Sequence, residues 1–334
     1  AALGFMGSTI VGSGFNLEPE EFEELASHGA NAECLFPLLG GQDVNTSPSQ
    51  SHARFVINFG SMSLDEANKW PELLEIVRER VKPGRLMKKD HGPGAHGKKY
   101  WWQHLLRSDP LYESIRNQSR CLVAARTSKH LAFSFQPILQ VFNESLLVFA
   151  FENYTNFGVL QSRLHEVWAR LVSSTLGAGL RYSVSGCFDT FPFPDSNPRA
   201  INEKLELVGA VLYEARAKYM ETSGQGLTMT YNALKDIEFD DDRILELRRH
   251  HEAIDRAVLD AYGWLDIEVP PYCPITPDED AAVEAFNDEV IDRLYVLNTE
   301  RAAEEELQGL TKVATKKKTP KKKILKSNPT RDLF

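Results

Sequence analysis

The chain has 334 residues, with 38 Lys and Arg against 47 Asp and Glu, a formal net charge of −9, and 42% hydrophobic residues. That is enough apolar material for one or two packed domains. Cys34, Cys121, Cys187 and Cys273 are scattered with no CxxC pair, which argues against a thiolate zinc site and for a reducing compartment. No apolar run has the length of a membrane span, and the first residues lack the charged start of a signal peptide. The sequence therefore predicts a soluble, cytoplasmic protein with no membrane partner.

Residues 1–16 are punctuated by glycine and contain Gly12-Ser13-Gly14, which reads as a turn rather than a cofactor loop, because no strand–loop–helix unit surrounds it. EPEEFEELASH, from Glu18 to His28, predicts a short helix with acids in its first turn, ended by Gly29. RFVINF, from Arg54 to Phe59, predicts a strand. From Ser63 to Arg80 a helix is expected, opened by a capping box of Ser63 and Glu66 and broken or kinked at Pro71.

A basic stretch follows. Between Arg78 and Lys129 thirteen Lys and Arg stand against four acids, nine net positive charges inside an acidic chain. Tyr100, Trp101 and Trp102 lie within it. Cations interleaved with aromatic rings suit a nucleic-acid surface, where the cations neutralise phosphates and the rings stack or pack behind them. The plainer alternative is a solvated loop with Trp101 and Trp102 tucked into the core. Within this stretch GPGAHGKK nearly matches the phosphate loop GxxxxGK[ST], but Lys99 stands where a hydroxyl must hold magnesium, and RLMKKDH is no buried strand leading in. His91, His96 and His104 have no acid or cysteine at ligand spacing, so no metal is expected.

Next come CLVAAR, LAFSF, ILQVF and LLVFAF, four short runs predicting a small sheet with Arg126 to His130 at a connection on its rim. Tyr154 to Leu176 reads as one amphipathic helix whose aromatics belong to the core. Arg181 and Tyr182 follow Gly177 and Gly179, and Phe188 to Pro194 forms an extended exit. The remainder is helical and acidic, with helices expected at about 198–221, 242–262 and 277–306. His250-His251-Glu252 invites a metal reading, but adjacent residues diverge by about 100° on a helix. Thr311 to Lys326 is a low-complexity basic tail, expected to be disordered.

Several ordered blocks carry a resemblance: RFVINFGSMSLDEANKWPELLEIVRERVKP, YWWQHLLR, RTSKHLAFSF, LVFAFENYTNFGVLQSRLHEVWAR and LRYSVSGCFDTFPFP, then DRILELRRHHEAIDRAVLDAYGW and VLNTERAAEEE. Together they resemble the target-recognition and C-terminal region of MmeI-like enzymes, over roughly residues 5–310. Those are single-chain type II restriction–modification proteins with an adenine-N6 DNA methyltransferase core. The core's own signatures are missing here. There is no glycine-rich loop for S-adenosylmethionine. The PPY present is Val269-Pro270-Pro271-Tyr272, where valine cannot hold the adenine amino group as the family's asparagine does, so it reads as a proline turn. No PD…ExK nuclease pattern is evident either. The resemblance implies double-stranded DNA as partner, S-adenosylmethionine as cofactor of the parent enzyme and none for this chain, and a methyltransferase core normally in the same polypeptide. The start at Ala1, without an initiator methionine, fits a piece of something longer.

The expected fold is α+β: a small mixed sheet flanked by helices forms a DNA target-recognition domain over 1–195, a helical domain spans 196–310, and a basic tail covers 311–334. No catalytic residue and no metal ligand are assigned. Position and chemistry single out Lys98, Lys99 and Trp102 on the basic loop, Arg126, Ser128, Lys129 and His130 on the sheet rim, and Arg181 and Tyr182 after the glycines as DNA contacts. Each of these also suits an internal ion pair or a packed ring. Two other functions stay open at this point, a complete DNA-modifying enzyme with unrecognised catalytic residues and a protein-interaction scaffold built on the acidic helices.

Overall fold

A computed structural model describes residues 2–176 and 179–307. Strand β1 (Gly4–Met6) is followed by β2 (Asn16–Leu17), α1 (Pro19–Ala26), β3 (Leu35–Leu39), α2 (Gly41–Thr46) and β4 (Arg54–Ile57). Short helices α3 (Leu64–Ala67), α4 (Pro71–Arg80), α5 (Lys82–Leu86), α6 (Pro93–Lys99) and α7 (Asp109–Ile115) come next. Then follow β5 (Arg120–Ala125), β6 (Thr127–Ser128), β7 (Phe133–Pro137), β8 (Val141–Phe142), β9 (Leu146–Phe149), α8 (Tyr154–Gln161), α9 (Arg163–Val172), β10 (Ser174–Leu176) and β11 (Gly179–Arg181). The helical part comprises α10 (Glu203–Ser223), α11 (Leu227–Leu234), α12 (Asp242–Tyr262) and α13 (Pro277–Leu307). The architecture is α+β, as the sequence predicts, and no helix among the described residues is long and apolar enough to cross a membrane.

The local signals act where they stand. Ser63 Oγ accepts from the Glu66 N–H while the Ser63 N–H donates to the Glu66 carboxylate at 2.7 Å, so the capping box is formed. Pro71 starts α4 rather than kinking a single helix. Helix α12 ends at Gly263, whose φ of 77° only glycine adopts freely.

The sheet is where the expectation changes. The four apolar runs do not form one sheet. β5, β7 and β9 join β1 in the order β1-β9-β5-β7, whereas β8 leaves them and pairs parallel with β3 in a second sheet, β2-β4-β3-β8. A third sheet, β10-β11-β6, is built from three short strands, β6 just after Arg126 and the hairpin β10–β11 that ends at Arg181. The helix expected over 154–176 is likewise divided, into α8, α9 and, from Ser174 to Leu176, strand β10. Ser162 takes an extended conformation between α8 and α9. The Arg163 N–H at the break donates to the buried Asp255 carboxylate at 2.8 Å, so the broken ladder leaves no orphan donor there.

Two apolar clusters fill the interior. The smaller takes in Phe15, Val56, Phe59, Leu73, Trp101 and Trp102 near the N-terminus. The larger runs from Leu39 to Leu294 and includes the β1-β9-β5-β7 sheet, α8, α10 and α12. Packing therefore crosses residue 195. Arg216 of α10, only 1% exposed, donates to the Phe133 carbonyl of β7 at 2.6 Å and to Gln161 at 3.0 Å. Tyr213 of α10 accepts from the Phe135 N–H at 3.0 Å. A buried pair, Arg163 Nε to Asp255 at 2.6 Å, ties α9 to α12, and the same guanidinium donates to the carbonyls of Pro270 and Pro271.

Candidate nucleic-acid interface

Arg126 is the point at which the chain changes sheets. Its N–H donates to the Ser145 carbonyl beside β9 at 2.8 Å, and its own carbonyl accepts from the Tyr182 N–H after β11 at 3.0 Å. The backbone is thus clamped on both sides. Antiparallel pairing then sets Thr127 opposite Arg181 and Ser128 opposite Leu180. Two segments more than fifty residues apart in sequence meet as one basic rim.

Side chains along β11 alternate, as strand geometry requires. Leu180 is buried, Arg181 exposed and Tyr182 buried again. The Tyr182 hydroxyl donates to His165 Nε2 at 2.9 Å, and His165 Nδ1–H donates to the Leu160 carbonyl at 2.7 Å. Burial holds His165 at about 4, so the ring is neutral and its tautomer follows from these two bonds.

Arg126 and Arg181 line an open cleft of about 670 Å³. Its other walls come from Gln42 and Asn45 of α2, Glu144 on the turn between β8 and β9, and Thr228 of α11. None of these last four was singled out in the sequence, because α2 lies in a loop-rich stretch and Glu144 in a connecting turn. Among the described residues neither arginine pairs with a carboxylate. Ser128 Oγ accepts from Asn45 Nδ2 at 3.3 Å, which ties β6 to α2. Lys129 is exposed, and its Nζ donates to Asn232 Oδ1 of α11 at 2.7 Å.

Three residues expected at the surface face inward instead. Trp102 is 6% exposed, and its indole N–H donates to the Met62 carbonyl at 2.8 Å. Tyr182 is 1% exposed. His130 is 6% exposed and shares the Asn232 oxygen with Lys129, at 2.9 Å, with burial pushing its pKa down. A neutral, buried ring bonded to protein offers nothing to a phosphate. Trp101 is buried too, with the Lys82 ammonium 4.8 Å from its ring centroid, so the tucked-in alternative describes both tryptophans.

Much of the basic stretch is neutralised from within. Arg78 pairs with Glu75, Arg80 with Glu21, Lys98 with Asp90, Arg107 with Asp109 and Arg116 with Glu113. Arg85 is buried and donates to the backbone carbonyls of Tyr100, Gln103 and Ile10. Arg120 lies over the Phe135 ring at 3.8 Å. Lys88, Lys89 and Lys99 remain exposed. The near-match to a phosphate loop forms helix α6, entered from a bend rather than from a strand.

The PPY segment is structural. Its two proline carbonyls hold Arg163, and the Tyr272 ring stacks on His251 at 4.5 Å while its N–H donates to Glu252. His251 is 2% exposed and His250 lies by Glu246, so the His-His-Glu run diverges as helical spacing demands.

The family model of the MmeI target recognition domain matches residues 5–195, more than half of the chain. The chain belongs to the MmeI target recognition domain family. Gln42, Arg126, Glu144 and Arg181 all lie in the stretch matched to that domain. The fold is similar to that of a solved structure described as the type IIL restriction–modification enzyme MmeI in complex with DNA, with a TM-score of 0.63 at 18% identity, over 89% of this chain and 36% of that one. The chain is also 32% identical over 111 residues to DNA methyltransferase A of Bacillus subtilis (strain 168), which is 33% of this chain and 11% of that protein. The chain thus spans about a tenth of the length of that curated relative through their match, and about a third of the solved MmeI chain.

Proposed function

We propose that this chain is the part of a restriction–modification adenine-N6 DNA methyltransferase that recognises a specific double-stranded DNA sequence. The methyltransferase core and its S-adenosylmethionine site lie elsewhere in the same polypeptide, and the enzyme works in the cytoplasm. The observation carrying this reading is the β6–β11 pairing, which gathers Arg126 and Arg181 at one open cleft with no carboxylate partner among the described residues. A guanidinium held this way can take guanine O6 and N7 together in the major groove. Lys129, exposed just after β6, and Lys99, exposed at the end of α6, suit phosphates and register. His130 and Tyr182 are buried beside β6 and β11, Ser128 braces α2, and Trp102 and Lys98 serve the N-terminal part through the Met62 carbonyl and Asp90.

The test is selection of bound duplexes from a random pool by the full chain. The wild type should enrich one motif. Arg126→Ala and Arg181→Ala should each relax one position of it, at a cost of about 1–3 kcal/mol, while nonspecific binding persists. Uniform weakening on all sequences would make the arginines backbone anchors. Absence of any motif, with binding insensitive to salt, would refute the reading.

A further inference from the structure

Helix α2, GQDVNT, contains no basic residue, yet it lines the same cleft as Arg126 and Arg181. Helical spacing puts Gln42 and Thr46 one turn apart on one face, and both are exposed, while Val44 is fully buried. The helix is fastened on several sides. The Gly40 N–H donates to Asp43 Oδ2 at 2.8 Å and the Gly41 N–H to Ser145 Oγ at 2.7 Å. Asn45 is bonded to Ser128, and α11 presses so close that a Cβ on Gly226 would lie 2.4 Å from the Thr46 carbonyl carbon. One group is left over. Among the described residues the Gln42 side-chain amide makes no hydrogen bond; its backbone carbonyl accepts from Thr46 Oγ1 at 2.9 Å.

A short helix anchored to three other elements, with an unengaged primary amide beside two guanidinium groups, is built to read rather than merely to hold. A phosphate offers acceptors alone, so it makes no use of the amide oxygen. A primary amide presents one donor and one acceptor side by side, the complement of adenine N7 and N6–H2 in the major groove. The two arginines match guanine or phosphate instead. We propose that α2 is a second reading element of the cleft and that Gln42 reads an adenine edge. This rests on the DNA-recognition reading above and adds to it a residue and a base.

The experiment uses the full chain, as wild type, Gln42→Ala and Gln42→Glu, each selecting duplexes from a random pool. The wild-type motif should contain an adenine whose preference falls about 5- to 150-fold in Gln42→Ala, with the positions that depend on Arg126 and Arg181 intact. In Gln42→Glu the preference at that position should move to cytosine, because a carboxylate accepts from the cytosine N4 amino group. Gln42 is exposed, so both variants should unfold at the wild-type temperature. Should both variants select the unaltered motif while the arginine variants change it, this proposal fails alone. Equal loss at every position would make Gln42 a backbone contact and also overturn it. A wild-type chain that selects no motif removes the parent reading and this one together.

Discussion

Lys98 and Lys99 are adjacent and chemically identical, yet their surroundings separate them. Lys98 Nζ lies 2.5 Å from the Asp90 carboxylate and its side chain is 21% exposed. Lys99 is exposed, with Nζ 5.1 Å from the Tyr100 ring centroid. A lysine already paired with an acid brings little net positive charge to a phosphate. Lys99→Ala should therefore flatten the log–log dependence of DNA affinity on salt by up to about one unit, and Lys98→Ala by less. Binding titrations from low to moderate salt check this; a larger change in Lys98→Ala would mean that the Asp90 pair opens on DNA. The same scale shows what was legible. Arg181 and Tyr182 are both expected as DNA contacts from the sequence, yet strand alternation sets neighbours on opposite faces, and in the structure Arg181 is exposed while Tyr182 is buried. The partner of Arg80 was not legible, because Glu21 meets it from 59 residues away.

Helices α8 and α10 meet at Gly209. Glu206 of α10 accepts the N–H groups of Tyr154 and Thr155 at 3.1 and 2.7 Å, placing a carboxylate at the start of α8 where the free donors and helix dipole favour it. That contact draws the backbones together, and a Cβ on Gly209 would lie 2.6 Å from the Tyr154 carbonyl oxygen. Propensity alone would favour Gly209→Ala by about 0.8–1.0 kcal/mol. Overpacking against a backbone atom costs about 1–3 kcal/mol, so the close approach should win. The expected outcome is a lower urea midpoint with an unchanged slope; a raised midpoint would show that the two helices separate easily. The longer helices were readable from caps and periodicity, whereas the short helices α2, α5, α6 and α7 fell in stretches that read as loop. Sheet membership was not, because β8 is an apolar pair like any other until β3 arrives beside it.

Across the whole molecule the two cores share one dependence on acid. His104 belongs to the N-terminal interior, edge-on to Phe15 at 5.0 Å and donating through Nε2 to the Ile57 carbonyl at 3.0 Å. His165 belongs to the larger core. Burial holds both at about 4, against an ordinary value of 6.5. The unfolded chain therefore binds these protons first as pH falls. Their contribution to stability is fully present above pH 6.5 and is lost progressively as pH falls towards 4. Urea midpoints measured from pH 7 to pH 4 should drop through that window; a flat profile between 6.5 and 4.5 would mean that the rings charge in place.

The sequence by itself determined the α+β class, the boundaries of α1, α12 and α13 to within a residue or two, the reading of PPY as a structural segment and the family resemblance. These rest on local signals: a capping serine, a proline at the first turn, a terminal glycine, a period of two or of three to four. It also singled out Arg126 and Arg181 as separate candidates. Only the tertiary structure decided that they share a cleft, that Trp102, His130 and Tyr182 face inward, and that α2 joins the rim. Those outcomes depend on pairings between distant segments, such as β6 with β11, Asn45 with Ser128 and His130 with Asn232. Side-chain type records that a group needs a partner, whereas the identity of that partner is settled when the chain closes on itself.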